Sequence, residues 1–357
     1  MTLRDLVGER SIVICCGSGG VGKTTTAAAL AVEAAMGGRK ACVVTIDPAK
    51  RLADALGIGS LTNRPKKIEG DWPGELWALM LDTKGTFDDL VQRYAATPEQ
   101  AKSILANPLY RNISGALSGT QEYMAMEKLY ELHQGGVADI PDFDVVVVDT
   151  PPTRNALDFL DAPRRLTAFL DNRIFRLLIM PTRAYLKAVS VATQTFLRTV
   201  SRVVGAEVVG DAIAFFDAFE GMENGFRDRA QAVRDLLVAP QTAFVLVTSP
   251  RPDAVEEASF FASKLAGAGI DVDALVVNRL HPQFDVERLE GPFPATPLGV
   301  LRANLDEFQR VSSLEESNFA ALARQVVAGR VARVPFLADD VHDLEGLKVV
   351  GGHLLSS

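Results

Sequence analysis

Cys16-Gly17-Ser18-Gly19-Gly20-Val21-Gly22-Lys23-Thr24-Thr25 decides how the rest of the chain is read. An apolar run, Ile12-Val13-Ile14-Cys15, precedes it, and Thr26-Ala27-Ala28-Ala29-Leu30-Ala31-Val32 follows. Strand, glycine-rich turn and helix in that order make the setting of a phosphate-binding loop. The spacing from Gly17 through Gly22 to Lys23 and Thr24 fits G-x-x-x-x-G-K-[ST] throughout. Gly17, Gly19, Gly20 and Gly22 keep Cβ atoms clear, so the backbone N–H groups from Ser18 and Val21 to Thr25 converge on phosphate. Lys23 is expected to reach the β/γ-phosphates of ATP, Thr24 to hold Mg²⁺, and the helix N-terminus to add its partial positive charge.

Of the 357 residues 48% are hydrophobic and 23% charged, enough apolar material for one large domain or a domain with an insertion. A net charge of −8 argues against nucleic acid as a partner. The short basic cluster Arg64-Pro65-Lys66-Lys67 reads as a solvated loop. Met1 to Arg10 carries four charges and no apolar stretch, so no signal peptide is expected. No apolar segment approaches the about 20 residues of a membrane span. The longest candidate, Ile174 to Phe196, is broken by Arg176, Pro181, Arg183 and Lys187. A cytoplasmic protein without stable membrane insertion is the expectation. Cys15, Cys16 and Cys42 lie in apolar strand-like runs with no C-x-x-C pair, so they read as small buried hydrophobes rather than zinc or disulfide partners.

Beyond the first helix, Gly37-Gly38 marks a stop and Ala41–Ile46 a second strand, ending in Asp47-Pro48-Ala49-Lys50 and a short helix to Leu56. Leu76–Leu81 reads as a third strand, with helices around 86–95, 98–106 and 119–133. Val145-Val146-Val147-Val148-Asp149 is the continuous β-branched run of a buried parallel strand. The pattern from Asn155 to about Leu237 is almost wholly helical, and strands resume at 243–248, 274–278 and 333–337. Alternating strands and helices imply an α/β fold with a doubly wound, mostly parallel sheet. Residues 1–155 and 240–357 form its P-loop core, 156–239 an inserted helical subdomain, and parts of 85–135 are helical.

Two carboxylates end strands. Asp149, beside a P-loop, is placed to hold Mg²⁺; the alternative, a cap on the next helix, leaves the four preceding valines unexplained. Asp47 ends the strand after the P-loop helix, where a carboxylate orients the attacking water. It also fits an N-cap with Pro48 at N1, and both roles can hold together.

The P-loop, then Thr45-Ile46-Asp47-Pro48-Ala49, then Asp149-Thr150-Pro151-Pro152-Thr153, resemble in order the deviant-Walker ATPases that include the arsenical-pump ATPase ArsA and the tail-anchored-protein targeting ATPases. Within that group the chain most resembles the actinobacterial-type, ArsA-like anion-transporting ATPases. The resemblance makes the Asp47 segment switch I and the Asp149 segment switch II, and it implies an Mg²⁺-dependent, dimeric ATPase with Lys23 and Asp47 in catalysis. Val276-Val277-Asn278-Arg279-Leu280 is similar to the family's adenine-contacting strand end, and Val334-Pro335-Phe336-Leu337 to its adenine-side loop, so Asn278 and Pro335 join the nucleotide-binding residues.

Three departures from the family pattern matter. Its signature lysine, which reaches across a dimer interface into the partner's phosphates, is Ser18 here. Loss of that charge is worth several kcal/mol at the reacting oxygens. The Gly-His pair of switch II is Arg154-Asn155, with Arg154 either a substitute charge or a surface arginine. No cysteine set for an interfacial zinc or for arsenite is present. Leu157, Leu160, Leu166, Phe169, Leu170, Phe175, Leu178 and Ile179, and the later run 200–219, are apolar at helical spacing. They read as core packing or, as the resemblance favours, a groove for a hydrophobic helical client. The implied function is an ATPase that couples nucleotide state to that surface, as a homodimer or paired with a lysine-bearing paralog. The alternatives are the catalytic subunit of an arsenite or anion pump and a weakly hydrolysing nucleotide-binding scaffold.

Overall fold

The strand that leads into the glycine-rich loop, β1 (Ile12–Cys16), is buried at every position because it runs through the middle of a sheet. A computed structural model gives the structure; it describes residues 2–47, 50–108, 110–111, 120–136, 140–151, 211, 214–215, 218, 221–284, 286, 293–326 and 330–356, with only the backbone of 120–122 and 223. The other strands are β2 (Lys40–Thr45), β3 (Lys66–Ile68), β4 (Glu75–Met80), β5 (Val145–Asp149), β6 (Thr242–Thr248), β7 (Ala274–Leu280) and β8 (Val331–Pro335). They order β3-β4-β2-β5-β1-β6-β7-β8.

Pairing is parallel except between β3 and β4, so the sheet is mostly parallel, as the alternating pattern implies. The chain winds one way from β1 to β2 and the other way from β6 to β8. The carboxyl ends of the strands beside that reversal form the crevice where ligands sit in such sheets. Thr45, Asp149, Asn278 and Pro335 all end up at or near those ends.

β3 is a correction. Lys66 and Lys67 are not in a solvated loop but in an antiparallel edge strand, with Lys67 opposite Trp77 and its ammonium 2.8 Å from Glu75. Lysines on an edge block further strand addition. A second difference lies at the start, where α1 (Leu3–Glu9) is closed by a capping box between Thr2 and Asp5.

α2 (Lys23–Met36) is alanine-rich and buried on nearly every side, as a helix must be when it is apolar all round. One flank lies against the sheet and another against α10 (Leu344–Leu355). α3 (Arg51–Ala55), α8 (Pro252–Gly267) and α9 (Pro297–Ala323) complete the helices around the sheet. Cys15, Cys16 and Cys42 are buried in the strands and form no disulfide, as expected for small hydrophobes.

Two compact units divide the chain: 1–81, 131–157 and 238–357 hold the sheet, and 82–130 with 158–237 make the other. In the second unit lie α4 (Thr83–Tyr94), α5 (Pro98–Ala106), most of α6 (Thr120–Gln134) and α7 (Glu223–Leu237). Its described core includes Phe87 stacked on Tyr110 at 5.5 Å and a partly buried ion pair of Arg229 with Glu127 at 2.6 Å. Arg154, Asn155 and the apolar positions from Leu157 to Ile179 lie outside the described residues. No helix among the described residues is long and apolar enough to cross a membrane.

Candidate nucleotide site

Gly17 adopts φ 149°, and a Cβ there would overlap the carbonyl oxygen of Val247 on β6. Gly22 adopts φ 96°, and a Cβ there would overlap the Asn278 amide. Both backbones demand glycine, so the motif spacing has a steric cause. Gly22 precedes α2 without a side-chain cap, leaving the first N–H groups of the helix for a ligand.

Lys23 is buried, and its ammonium donates to the Ser18 carbonyl oxygen at 2.8 Å. Burial is the main influence on it and holds its pKa below the usual lysine range, against the attraction of Asp149. Ser18 is itself only 6% exposed, and its hydroxyl has no hydrogen-bond partner.

Asp149 is 1% exposed. The parallel register sets it opposite Cys15 on β1 and Thr45 on β2. Its Oδ2 accepts from the Thr24 hydroxyl at 2.7 Å and the Thr45 hydroxyl at 2.9 Å. Its Oδ1 is buried with no hydrogen-bond partner. Burial pushes its pKa up, against the two hydroxyls and Lys23. A hydroxyl and a carboxylate with one oxygen uncommitted are the hard oxygen donors that Mg²⁺ takes, usually keeping waters of its own. Mg²⁺ therefore fits Thr24 and Asp149.

A cavity of about 760 Å³ brings together Lys23, Thr24, Asp47, Asn278 and Pro335. α3 begins at Arg51 with Lys50 in the capping position, so Asp47 does not cap α3, and Pro48, on which the other cap reading rests, lies outside the described residues. The Asp47 carboxylate lies 3.7 Å from the Arg51 guanidinium, and its N–H faces the Thr45 hydroxyl at 3.3 Å. Asn278 does more than line the cavity, since its Nδ2 donates to the Val21 carbonyl oxygen at 2.9 Å. An adjoining cavity of about 560 Å³ is lined by Ser18, Gly19, Arg251, Arg279 and His281.

Sequence reasoning missed Thr45, Arg279 and Phe336. Thr45 was legible as the hydroxyl two residues before Asp47 at a strand end. Phe336 follows Pro335 and lines both cavities, which its place in an apolar stretch does not reveal. Nothing local marks Arg279.

Comparison with known proteins bears on the whole arrangement. The family model described as anion-transporting ATPase (ArsA ATPase) matches residues 10–291. The ATPase GET3 of Malassezia globosa is 27% identical over 281 residues, covering 78% of this chain and 76% of that protein. A protein named arsenical pump-driving ATPase 1 in Aquifex aeolicus is 23% identical over 361 residues, covering 94% and 76%. The ATPase GET3A of Arabidopsis thaliana is 25% identical over 359 residues, covering 99% and 87%. With a matched region that spans the P-loop, both carboxylates and Asn278, the chain belongs to the anion-transporting ATPase family and is an ATPase.

Proposed function

We propose that the chain hydrolyses ATP with Mg²⁺ as a cytoplasmic dimer, and that nucleotide state opens and closes an apolar helical surface in an inserted subdomain, residues 156–239. The observation that carries the hydrolytic part is Asp149, buried, held by Thr24 and Thr45 through one oxygen, its other oxygen uncommitted.

When bound, Mg²⁺ supplies positive charge at the phosphate oxygens. Lys23 does the same from the P-loop: its ammonium, already stripped of water and held on the Ser18 carbonyl, favours exchange of that neutral acceptor for an anionic one. The N–H groups of Gly19 to Thr25 bind phosphate, Asn278 and Pro335 border the base, and the Asp47 carboxylate accepts a hydrogen bond from the attacking water and orients it.

The client part rests on family membership and on the apolar helical pattern after Asn155. A pump subunit is the second reading, from the family's anion-transporting description and the name of the Aquifex relative. Soft metalloids take thiolates, and all three thiols are buried in β1 and β2, with burial pushing those of Cys15 and Cys16 well up.

Three measurements test the proposal. Lys23→Ala is expected to lose ATP binding by calorimetry, and hydrolysis by the parent is expected to vanish with excess chelator; equal affinity or metal-independent turnover overturns the site assignment. Binding of a fluorescent 20-residue apolar helical peptide is expected to differ between ADP and a non-hydrolysable ATP analogue. Identical binding, or none, overturns the client reading.

A further inference from the structure

We infer that Arg279 is a phosphate-binding cation of the nucleotide cavity, supplied from the end of β7 and acting on the phosphates alongside Lys23. The inference rests on the reading of that cavity as the ATP site.

Three observations converge on this residue. First, Arg279 has φ 63°, the only positive φ among the described non-glycine residues. A left-handed arginine costs free energy that glycine or asparagine would avoid, and such strain gathers at functional positions. Second, the β7–β8 ladder shifts register between Asn278 and Leu280, so Arg279 is the extra residue of a bulge, and bulges re-aim side chains. Third, the turn is fastened to the P-loop at successive carbonyls. The Arg279 Nη1 donates to the Gly20 oxygen at 3.0 Å, and Asn278, which accepts from the Arg279 N–H at 2.9 Å, donates to the Val21 oxygen.

That fastening uses one guanidinium nitrogen. No carboxylate among the described residues lies within ion-pair distance of Arg279, and the residue is exposed on the wall shared by both cavities. In the P-loop itself Lys23 is the only cation, since Ser18 carries none. A planar guanidinium with donors left over, beside a loop built to hold phosphate, is a phosphate ligand by geometry and charge.

A strut that merely held the P-loop would serve every ligand equally. A phosphate ligand would not, and this difference sets the experiment. Arg279→Gln and Arg279→Gly are compared with the parent by calorimetry for ATP, ADP and AMP, and by thermal unfolding without ligand. Both variants are expected to weaken ATP by about tenfold or more, ADP by less and AMP hardly at all, with a shallower salt dependence. Arg279→Gly, which suits φ 63°, is expected to melt at or above the parent temperature. Equal weakening of all three nucleotides, or unchanged ATP affinity in both folded variants, overturns the inference. Lys23→Ala serves as control: if it loses ATP while the Arg279 variants do not, this inference fails and the cavity assignment survives.

Discussion

The Thr24 hydroxyl donates to Asp149 Oδ2 at 2.7 Å and so ties the first turn of α2 to the end of β5. The acceptor is a carboxylate that burial disfavours, and its raised pKa means that its charge costs stability in the nucleotide-free protein. Asp149→Asn keeps an oxygen for Thr24 and Thr45 and removes the charge. Turnover is expected to fall by about 10² or more, while the nucleotide-free melting temperature rises by about 2 °C or more. The sign follows from linkage: for a carboxyl raised in the folded state, the penalty is full above the folded pKa and relieved as pH falls toward the ordinary 3.8. The stability difference between variant and parent should therefore be largest at neutral pH and shrink on acidification. A variant less stable than its parent at pH 7 would contradict this.

Asp47→Asn is expected to retain ATP affinity and lose turnover by about 10². The pair with the well-exposed Arg51 contributes little, within about 0.5 kcal/mol by denaturant titration of Arg51→Ala. Wild-type turnover in Asp47→Asn would remove Asp47 from the chemistry.

Gly17→Ala and Gly22→Ala should differ. A methyl at Gly17 meets the backbone of β6, which cannot yield, whereas one at Gly22 meets the end of the Asn278 side chain. Urea titration is expected to show Gly17→Ala destabilised by about 3 kcal/mol and Gly22→Ala by about 1–2 kcal/mol, each carrying the cost of a positive φ. Equal losses would mean that the Asn278 contact is as rigid as the strand.

Replacing Cys15, Cys16 and Cys42 together by Ala should cost about 1 kcal/mol per site in stability and leave turnover per folded molecule intact. Arsenite-stimulated hydrolysis in the parent that disappears in the triple variant would favour the pump reading.

Ser18→Lys tests the missing trans charge. The Ser18 hydroxyl lacks a partner and borders the smaller cavity, so a longer side chain has an exit. Steady-state hydrolysis by the isolated chain is expected to rise about 10²-fold, the scale of one donor at the reacting oxygens. No change in this variant, together with lost activity in Arg154→Ala, would make Arg154 the substitute and a paralog unnecessary.

The residues of the site were legible where chemistry and local geometry coincide. Lys23, Thr24 and the glycines announce themselves by spacing, and Asp149 by four valines before it. α1 carries its own sequence signal in the Thr2–Asp5 capping box. Asp47 was legible as a carboxylate at a strand end, while the next described helix, α3, begins at Arg51. β3 was hidden, since Lys66-Lys67-Ile68 acquires its conformation from pairing with Trp77 and Ala78 rather than from any pattern of its own. Arg279 owes its backbone angle to the register of β7 against β8, which no local window contains.

The packing of α10 along α2 has a consequence for biosynthesis. Gly351 approaches Glu33 so closely that a methyl there would overlap the carboxylate. The P-loop helix is thus covered by a segment that leaves the ribosome long after it, and β1 waits, less long, for β5 and β6. Such distant pairing is slow to close. During synthesis the phosphate loop is made well before α10, so the nascent chain carries an alanine-rich, apolar helix that needs shelter until α10 emerges.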